Sequence, residues 1–238
     1  MSSNKIGEDD ENGQGQFASP PCFMHELDPA YGMPVDRQQA HDVRRWRKAQ
    51  RERLISARLA LPVAERAAHS SLVARYLDQI VPFVSSAIVS VYWPFRGEPD
   101  LRPWMSAASS KGVRVALPVV VAKGQPLVFR EWHPEARLEQ GAWNIPYPAG
   151  GATVRPTVVV APLVGFDPAG YWLGYGGGFF DRTLAALDPR PLAIGVAHPI
   201  GALASIYPQP HDIRMDIIVA ATSVDYRSLP DEAGRGQR

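Results

Sequence analysis

A single cysteine, Cys22, stands in a chain of 238 residues. No disulfide can therefore form within the chain, and no cysteine cluster can hold zinc. No apolar run approaches the roughly 20 residues that cross a bilayer. The N-terminus lacks the positive-then-apolar order of a secretory signal. Neither sign of charge dominates: 25 Lys and Arg face 24 Asp and Glu, for a net charge of +1. A chain so balanced is not expected to be a general nucleic-acid binder. Internal repeats are lacking too, as is any Ser/His/Asp or Cys/His set suited to nucleophilic catalysis. These absences lead us to expect a soluble, cytoplasmic protein.

Apolar residues make up 45% of the sequence, enough for one sizeable core plus extensions. Residues 1–40 are rich in Ser, Gly, Gln, Asp, Glu and Pro and read as a flexible N-terminal tail. Residues 41–222 read as a single α/β domain, and 223–238 as a polar C-terminal tail. From Val43, apolar residues recur with helical spacing through Trp46, Leu54, Ala57 and Leu61 until Pro62. A second helix is expected over 64–80. Apolar stretches then alternate with helical ones. Strands are predicted at 87–92, 113–117, 127–132, 157–163, 192–197 and 216–220, and helices at 101–110 and 179–187. The stretch 157–163 is apolar almost throughout, as in strands buried on both faces. This order predicts an α/β fold with a mostly parallel sheet and helices on both faces. Ligands in such sheets gather beyond the carboxyl ends of the strands. Four segments are expected there: 93–100, the glycine-rich loop, His198-Pro199, and the loop leading into Asp216.

Residues 170–182 hold the densest chemical signal. Gly174, Gly176, Gly177 and Gly178 are four glycines in five residues, between an apolar run and a helix-like segment. Glycine accepts positive φ and lets backbone N–H groups approach an anion, to which a helix N-terminus adds its dipole. The loop is not a Walker A motif, for no Gly-Lys-Ser/Thr follows. It is not the Rossmann fingerprint, because Phe179 stands where that spacing needs Gly. Its bland reading is a tight strand-to-helix turn. With Asp181 and Arg182 closing it, ligand binding is the better account.

Other segments carry weaker signals. The first helix bears Arg44, Arg47, Lys48, Arg51 and Arg58, read as lying opposite its apolar residues. That is either a solvated basic face or a second phosphate clamp, with Arg47 and Arg51 one turn apart. Glu98 follows Tyr92, Trp93 and Phe95. It is either an acid near a helix start or the carboxylate of a flat-ring pocket. Asp212 is either a turn residue or a partner of Asp181 on a hard cation, since Mg²⁺ takes one or two carboxylates plus phosphate oxygens. His133 and His198 read as structural.

Together these segments resemble the 5-formyltetrahydrofolate cyclo-ligase family, also called methenyltetrahydrofolate synthetase, from about Arg47 to Ala220. Gly174–Arg182 is similar to its Gly-rich segment ending in Tyr-Tyr-Asp-Arg, and Arg47 to Arg51 to its N-terminal Lys-x-x-x-Arg. Further likeness lies in 92–100 with its Glu, in 127–132, and in His211-Asp212. The resemblance implies a three-layer α/β/α sandwich that closes 5-formyltetrahydrofolate to 5,10-methenyltetrahydrofolate, with ATP becoming ADP and phosphate. It implies ATP held by Arg47, Arg51, Leu173, Gly174, Tyr175, Gly176, Gly177, Gly178, Phe179, Phe180 and Arg182. It further implies Mg²⁺ on Asp181 and Asp212, and folate near Glu98, Tyr92 and Trp93. No protein nucleophile is needed. The chain is expected to act as a monomer or weak homodimer in one-carbon metabolism, without nucleic acid or membrane.

Four positions depart from the family pattern. Trp172 replaces an Arg, Phe179 and Phe180 replace the two tyrosines, and Tyr147 stands where Glu is frequent. Arg182 and Arg214 are the candidates to replace the lost charge. The departures keep open a divergent, non-catalytic or retuned relative that binds a folate or nucleotide. A nucleic-acid adaptor using the arginine-rich helix is a third alternative.

Overall fold

The computed structural model describes residues 37–84, 86–220 and 223–226. The N-terminal tail expected over 1–40 lies almost wholly outside them. Two helices open the described chain, α1 (Arg37–Ala60) and α2 (Val63–Ile80). Pro62, with φ fixed at −54°, is the N-cap of α2 and separates the pair. Then come β1 (Ile88–Ser90), α3 (Arg102–Ser110), β2 (Arg114–Val119) and β3 (Val128–Trp132). A small hairpin, β4 (Leu138–Gln140) and β5 (Pro146–Pro148), precedes β6 (Thr153–Val154) and β7 (Val158–Pro162). A second hairpin, β8 (Gly165–Phe166) and β9 (Trp172–Leu173), leads into α4 (Phe179–Ala186). The chain ends through β10 (Leu192–Ala197), β11 (Ile217–Ala220) and β12 (Ser223–Tyr226).

Eight strands form one sheet in the order β12-β11-β10-β7-β1-β2-β3-β6. The five from β11 to β2 are parallel; β12, β3 and β6 pair antiparallel at the two sides. The centre is parallel because its strands are apolar on both faces. In β7, Val158 and Val160 enter one core cluster and Val159 and Ala161 the other. The first cluster includes Val73 and Leu77 of α2 and Trp104 and Met105 of α3. The second includes Leu184 of α4. Helices thus cover both faces, as expected.

The chain order runs one way from β1 to β2 and the other way from β7 to β11. The strand order therefore reverses between β1 and β7, and a crevice opens beyond their carboxyl ends. Arg58 of α1 bonds Arg96 O after β1 and Leu163 O after β7, which holds α1 across that crevice.

The structure corrects three expectations. Residues 223–226, expected in a polar tail, form β12 beside β11. Its backbone completes the pairing of an otherwise open edge. The glycine loop does not follow β7 directly, because the β8–β9 hairpin intervenes. Buried Asp167 orders that hairpin by accepting from Ala169 N, Tyr171 N and Ile206 N. Asp216 sits at the amino end of β11, where it accepts from Ala193 N and Arg190. Only His211 and Asp212 of that loop line the crevice described next.

Candidate active site

A cavity of about 410 Å³ fills the crevice, within the usual range for small-molecule sites. Its walls include Tyr92, Trp93 and Glu98 from the segment after β1, and Arg47 and Arg51 from α1. Gly174, Tyr175, Gly176, Gly177, Gly178, Phe179, Phe180 and Asp181 supply the glycine loop's side, with His211 and Asp212 beside them. Of the expected site residues, Leu173 and Arg182 stand behind the walls. Leu173 is a buried strand residue, and its carbonyl accepts from Val164 N. Arg182 folds back on Gly177 O and lies over the Phe179 ring.

Local chemistry shapes the loop. Gly176 (φ +92°) and Gly178 (φ +61°) adopt the left-handed backbone that side chains disfavour. Gly178 is also the N-cap of α4. Among the described residues, the backbone N–H groups of Gly176, Gly177, Gly178 and Phe179 have no acceptor. Free amides at a helix N-terminus form an anion site. Arg51 lies against it: its Nε donates to Gly174 O (2.7 Å), and a Cβ on Gly176 would stand 3.5 Å from its guanidinium carbon. Burial, and then the charge of Arg47, hold the Arg51 pKa below its ordinary value. A cation so disfavoured gains from an anionic partner.

Arg47 and Asp212, expected on phosphate and metal, meet each other. The Arg47 guanidinium grips both Asp212 oxygens and also donates to Ile206 O and Tyr207 O. Gln209 N donates to Asp212 as well. Asp181 accepts from Ile213 N (3.1 Å) through Oδ1. Burial raises its pKa, and the Asp212 charge adds to the rise. No group of three or more His, Cys, Asp or Glu poised for a metal occurs among the described residues. A divalent cation carried by phosphates needs only one or two carboxylates. Asp181 fits that need directly, and Asp212 fits it as a neighbouring charge.

Glu98 is 7% exposed. Its Oε2 accepts from Phe95 N (2.8 Å) and its Oε1 from the Tyr175 hydroxyl (2.9 Å). That hydroxyl accepts from Arg58 Nη2 (2.7 Å). Burial pushes the Glu98 carboxyl from its ordinary 4.5 up to about 7, although Arg58, Tyr175 and Phe95 N each oppose the rise.

Arg58, named with the basic face of α1 but not among the expected ligand-binding residues, reaches the Tyr175 hydroxyl behind the cavity wall. The α1 residues at 47, 51, 54 and 58 follow a spacing of four, three and four, which marks one helix face. Arg47, Leu54 and Arg58 are buried there. The arginines thus share the inward face with Leu54 instead of opposing it, because carbonyls and carboxylates of the crevice wait for them. Trp172, which stands where the resemblance implies an arginine, is also inward. Its indole N–H donates to Ile213 O (2.9 Å), and its ring packs against Phe180. Arg214 lies over Tyr171, away from the cavity wall, and does not replace the lost charge. The His69 and His198 rings meet at a tilt of 54°, outside the cavity wall.

The chain is similar to known proteins in sequence and in fold. A sequence profile described as the 5-formyltetrahydrofolate cyclo-ligase family matches residues 43–221. A 5-formyltetrahydrofolate cyclo-ligase of Escherichia coli strain K12 is 32% identical over 151 residues, covering 60% of this chain and 82% of that protein. One of Mycolicibacterium smegmatis is 29% identical over 173 residues, covering 69% and 88%. The NMR structure of an Aquifex aeolicus 5,10-methenyltetrahydrofolate synthetase matches with a TM-score of 0.66 at 29% identity, over 80% of this chain and 99% of that one. A Mycoplasma pneumoniae 5,10-methenyltetrahydrofolate synthetase shares the fold, with a TM-score of 0.60 at 20% identity over 72% and 96%.

Proposed function

The chain belongs to the 5-formyltetrahydrofolate cyclo-ligase family, whose members are ligase-type enzymes, and from that premise we propose that it closes 5-formyltetrahydrofolate to 5,10-methenyltetrahydrofolate at the expense of ATP. One observation carries this reading. A single cavity is lined both by the glycine loop, whose amides lack acceptors among the described residues, with Arg51 against it, and by the buried carboxylate of Glu98. Phosphates suit the amides and Arg51, and ring N–H groups of a pterin suit Glu98.

The chemistry asks for positioning and charge neutralisation more than for a nucleophile. The formyl oxygen attacks the γ-phosphorus in line, and ADP departs. The N5 lone pair leaves the formyl carbon as an iminium phosphate. N10 adds to that carbon, loses its proton, and phosphate leaves with the former formyl oxygen. In this reading the amides of Gly176–Phe179 and the Arg51 guanidinium hold the phosphates. Arg47 fixes Asp212 and, through it, the segment beside Asp181. Glu98, flanked by Tyr92 and Trp93, orients the pterin. Mg²⁺, held by Asp181 with phosphate oxygens, would neutralise charge on the phosphates. The cytoplasmic setting expected from the sequence remains part of the proposal.

Purified protein with 5-formyltetrahydrofolate, ATP and Mg²⁺ should produce the methenyl absorbance, and omission of ATP should abolish it. Folded protein that gives no product beside an active control enzyme overturns the reading. A second reading, a relative that binds without turnover, is favoured by Trp172, Phe179 and Phe180, which put three largely apolar rings on the cavity wall where the family resemblance implies an arginine and two tyrosines. It requires thermal stabilisation by folate or nucleotide with no ATP hydrolysis. The nucleic-acid alternative is less favoured, because Arg47 and Arg58 are buried on partners within the chain.

A further inference from the structure

Tyr175 belongs to the glycine loop by sequence and reaches Glu98 by contact. Its hydroxyl stands between Arg58 and Glu98. A guanidinium only donates, so the hydroxyl accepts from Arg58 and spends its own proton on Glu98 Oε1. Phe95 N occupies one site on the other oxygen. Each carboxylate oxygen keeps a further lone pair for a ligand N–H. Arg58 is itself fixed on Arg96 O. The Tyr175 ring meets Phe95 edge-on, with centroids 5.7 Å apart. One residue therefore joins the phosphate loop to the carboxylate that faces the second subsite.

We propose that Tyr175 is a positioning residue that couples the two subsites, so that nucleotide at the glycine loop tightens folate binding at Glu98 and folate tightens nucleotide binding. The identity of the two ligands rests on the functional reading above. The loop on the C-terminal side of Tyr175 contains left-handed Gly176 and Gly178, and its amides lack acceptors among the described residues. Phosphate drawn onto those amides settles the loop and with it the Tyr175 hydroxyl. A settled hydroxyl holds Glu98 Oε1 in place for the pterin. A wandering one leaves a buried carboxylate short of a donor, which costs free energy and disperses its orientation. Linkage makes the effect reciprocal.

The test is calorimetric titration of the full chain with 5-formyltetrahydrofolate, with and without a saturating non-hydrolysable ATP analogue and Mg²⁺. For the native chain the analogue should tighten folate binding by about fivefold or more, within the usual span of such couplings. In Tyr175→Phe the ratio should fall to near one. That variant loses only a hydroxyl, and its half-exposed ring keeps its packing against Phe95. A ratio retained in Tyr175→Phe, or a native ratio near one, overturns the coupling while leaving the functional reading intact. A native chain that binds neither ligand overturns the functional reading itself.

Discussion

Arg47 and Asp212, 165 residues apart in sequence, form a two-point ion pair, each with a side chain 8% exposed. The pair ties α1 to the segment that carries Ile213, whose N–H reaches Asp181. Asp212 is therefore a structural counter-ion even before any cation arrives. Asp212→Asn should destabilise the protein by about 3–5 kcal/mol without nucleotide or metal, as breaking a buried pair does. Urea unfolding checks this. Unchanged stability would return Asp212 to a role in ligand binding alone.

Asp181 should behave in the opposite way. Burial and the neighbouring Asp212 charge disfavour its ionised form. Asp181→Asn should therefore keep or slightly raise apo stability, yet lower turnover by about 100-fold or more, a loss of roughly 2.7 kcal/mol in the transition state. The methenyl absorbance and a melting curve, read together, check it. Undiminished turnover removes Asp181 from the metal site.

Glu98 predicts a pH dependence. Its folded pKa stands at about 7 against an ordinary 4.5. Between those values the native state holds a proton that the unfolded chain has released. Stability should therefore fall as pH rises from about 4.5 to about 7, and then level off. The total is on the order of 3 kcal/mol. Glu98→Gln should abolish the slope, as denaturant melts at pH 5 and pH 8 would record. Pterin binding should strengthen through the same window, since N–H groups bond best to the ionised carboxylate.

Trp172 predicts a loss that apolar packing alone does not account for. Trp172→Phe keeps an aromatic ring beside Phe180 but leaves Ile213 O without its donor. Stability should fall by about 1–2 kcal/mol. The N–H of the same residue, in the preceding peptide unit, serves Asp181, so the KM for ATP should rise more than kcat falls. Steady-state kinetics separate the two, and an unchanged KM would confine Trp172 to packing.

Some of this was legible in the chain. The stretches that became β7 and β10 announce themselves by apolar runs, because a parallel strand buried on both faces admits little else. The hairpins β4–β5 and β8–β9 do not. Their strands are two or three residues long, too short for a period to show. They are set by turn contacts such as those of Asp167.

The sequence by itself determined the alternation of strands and helices, the glycine loop and the list of charged residues near it. Those follow from local rules: burial period, positive φ, and free amides at a helix start. Only the tertiary structure decided who meets whom. It turned Arg47 onto Asp212, brought Arg58 inward, set the Trp172 indole on Ile213 O and joined Tyr175 to Glu98. Such pairings depend on which distant donors and acceptors are buried together, and a buried polar group must take the partner that the fold supplies.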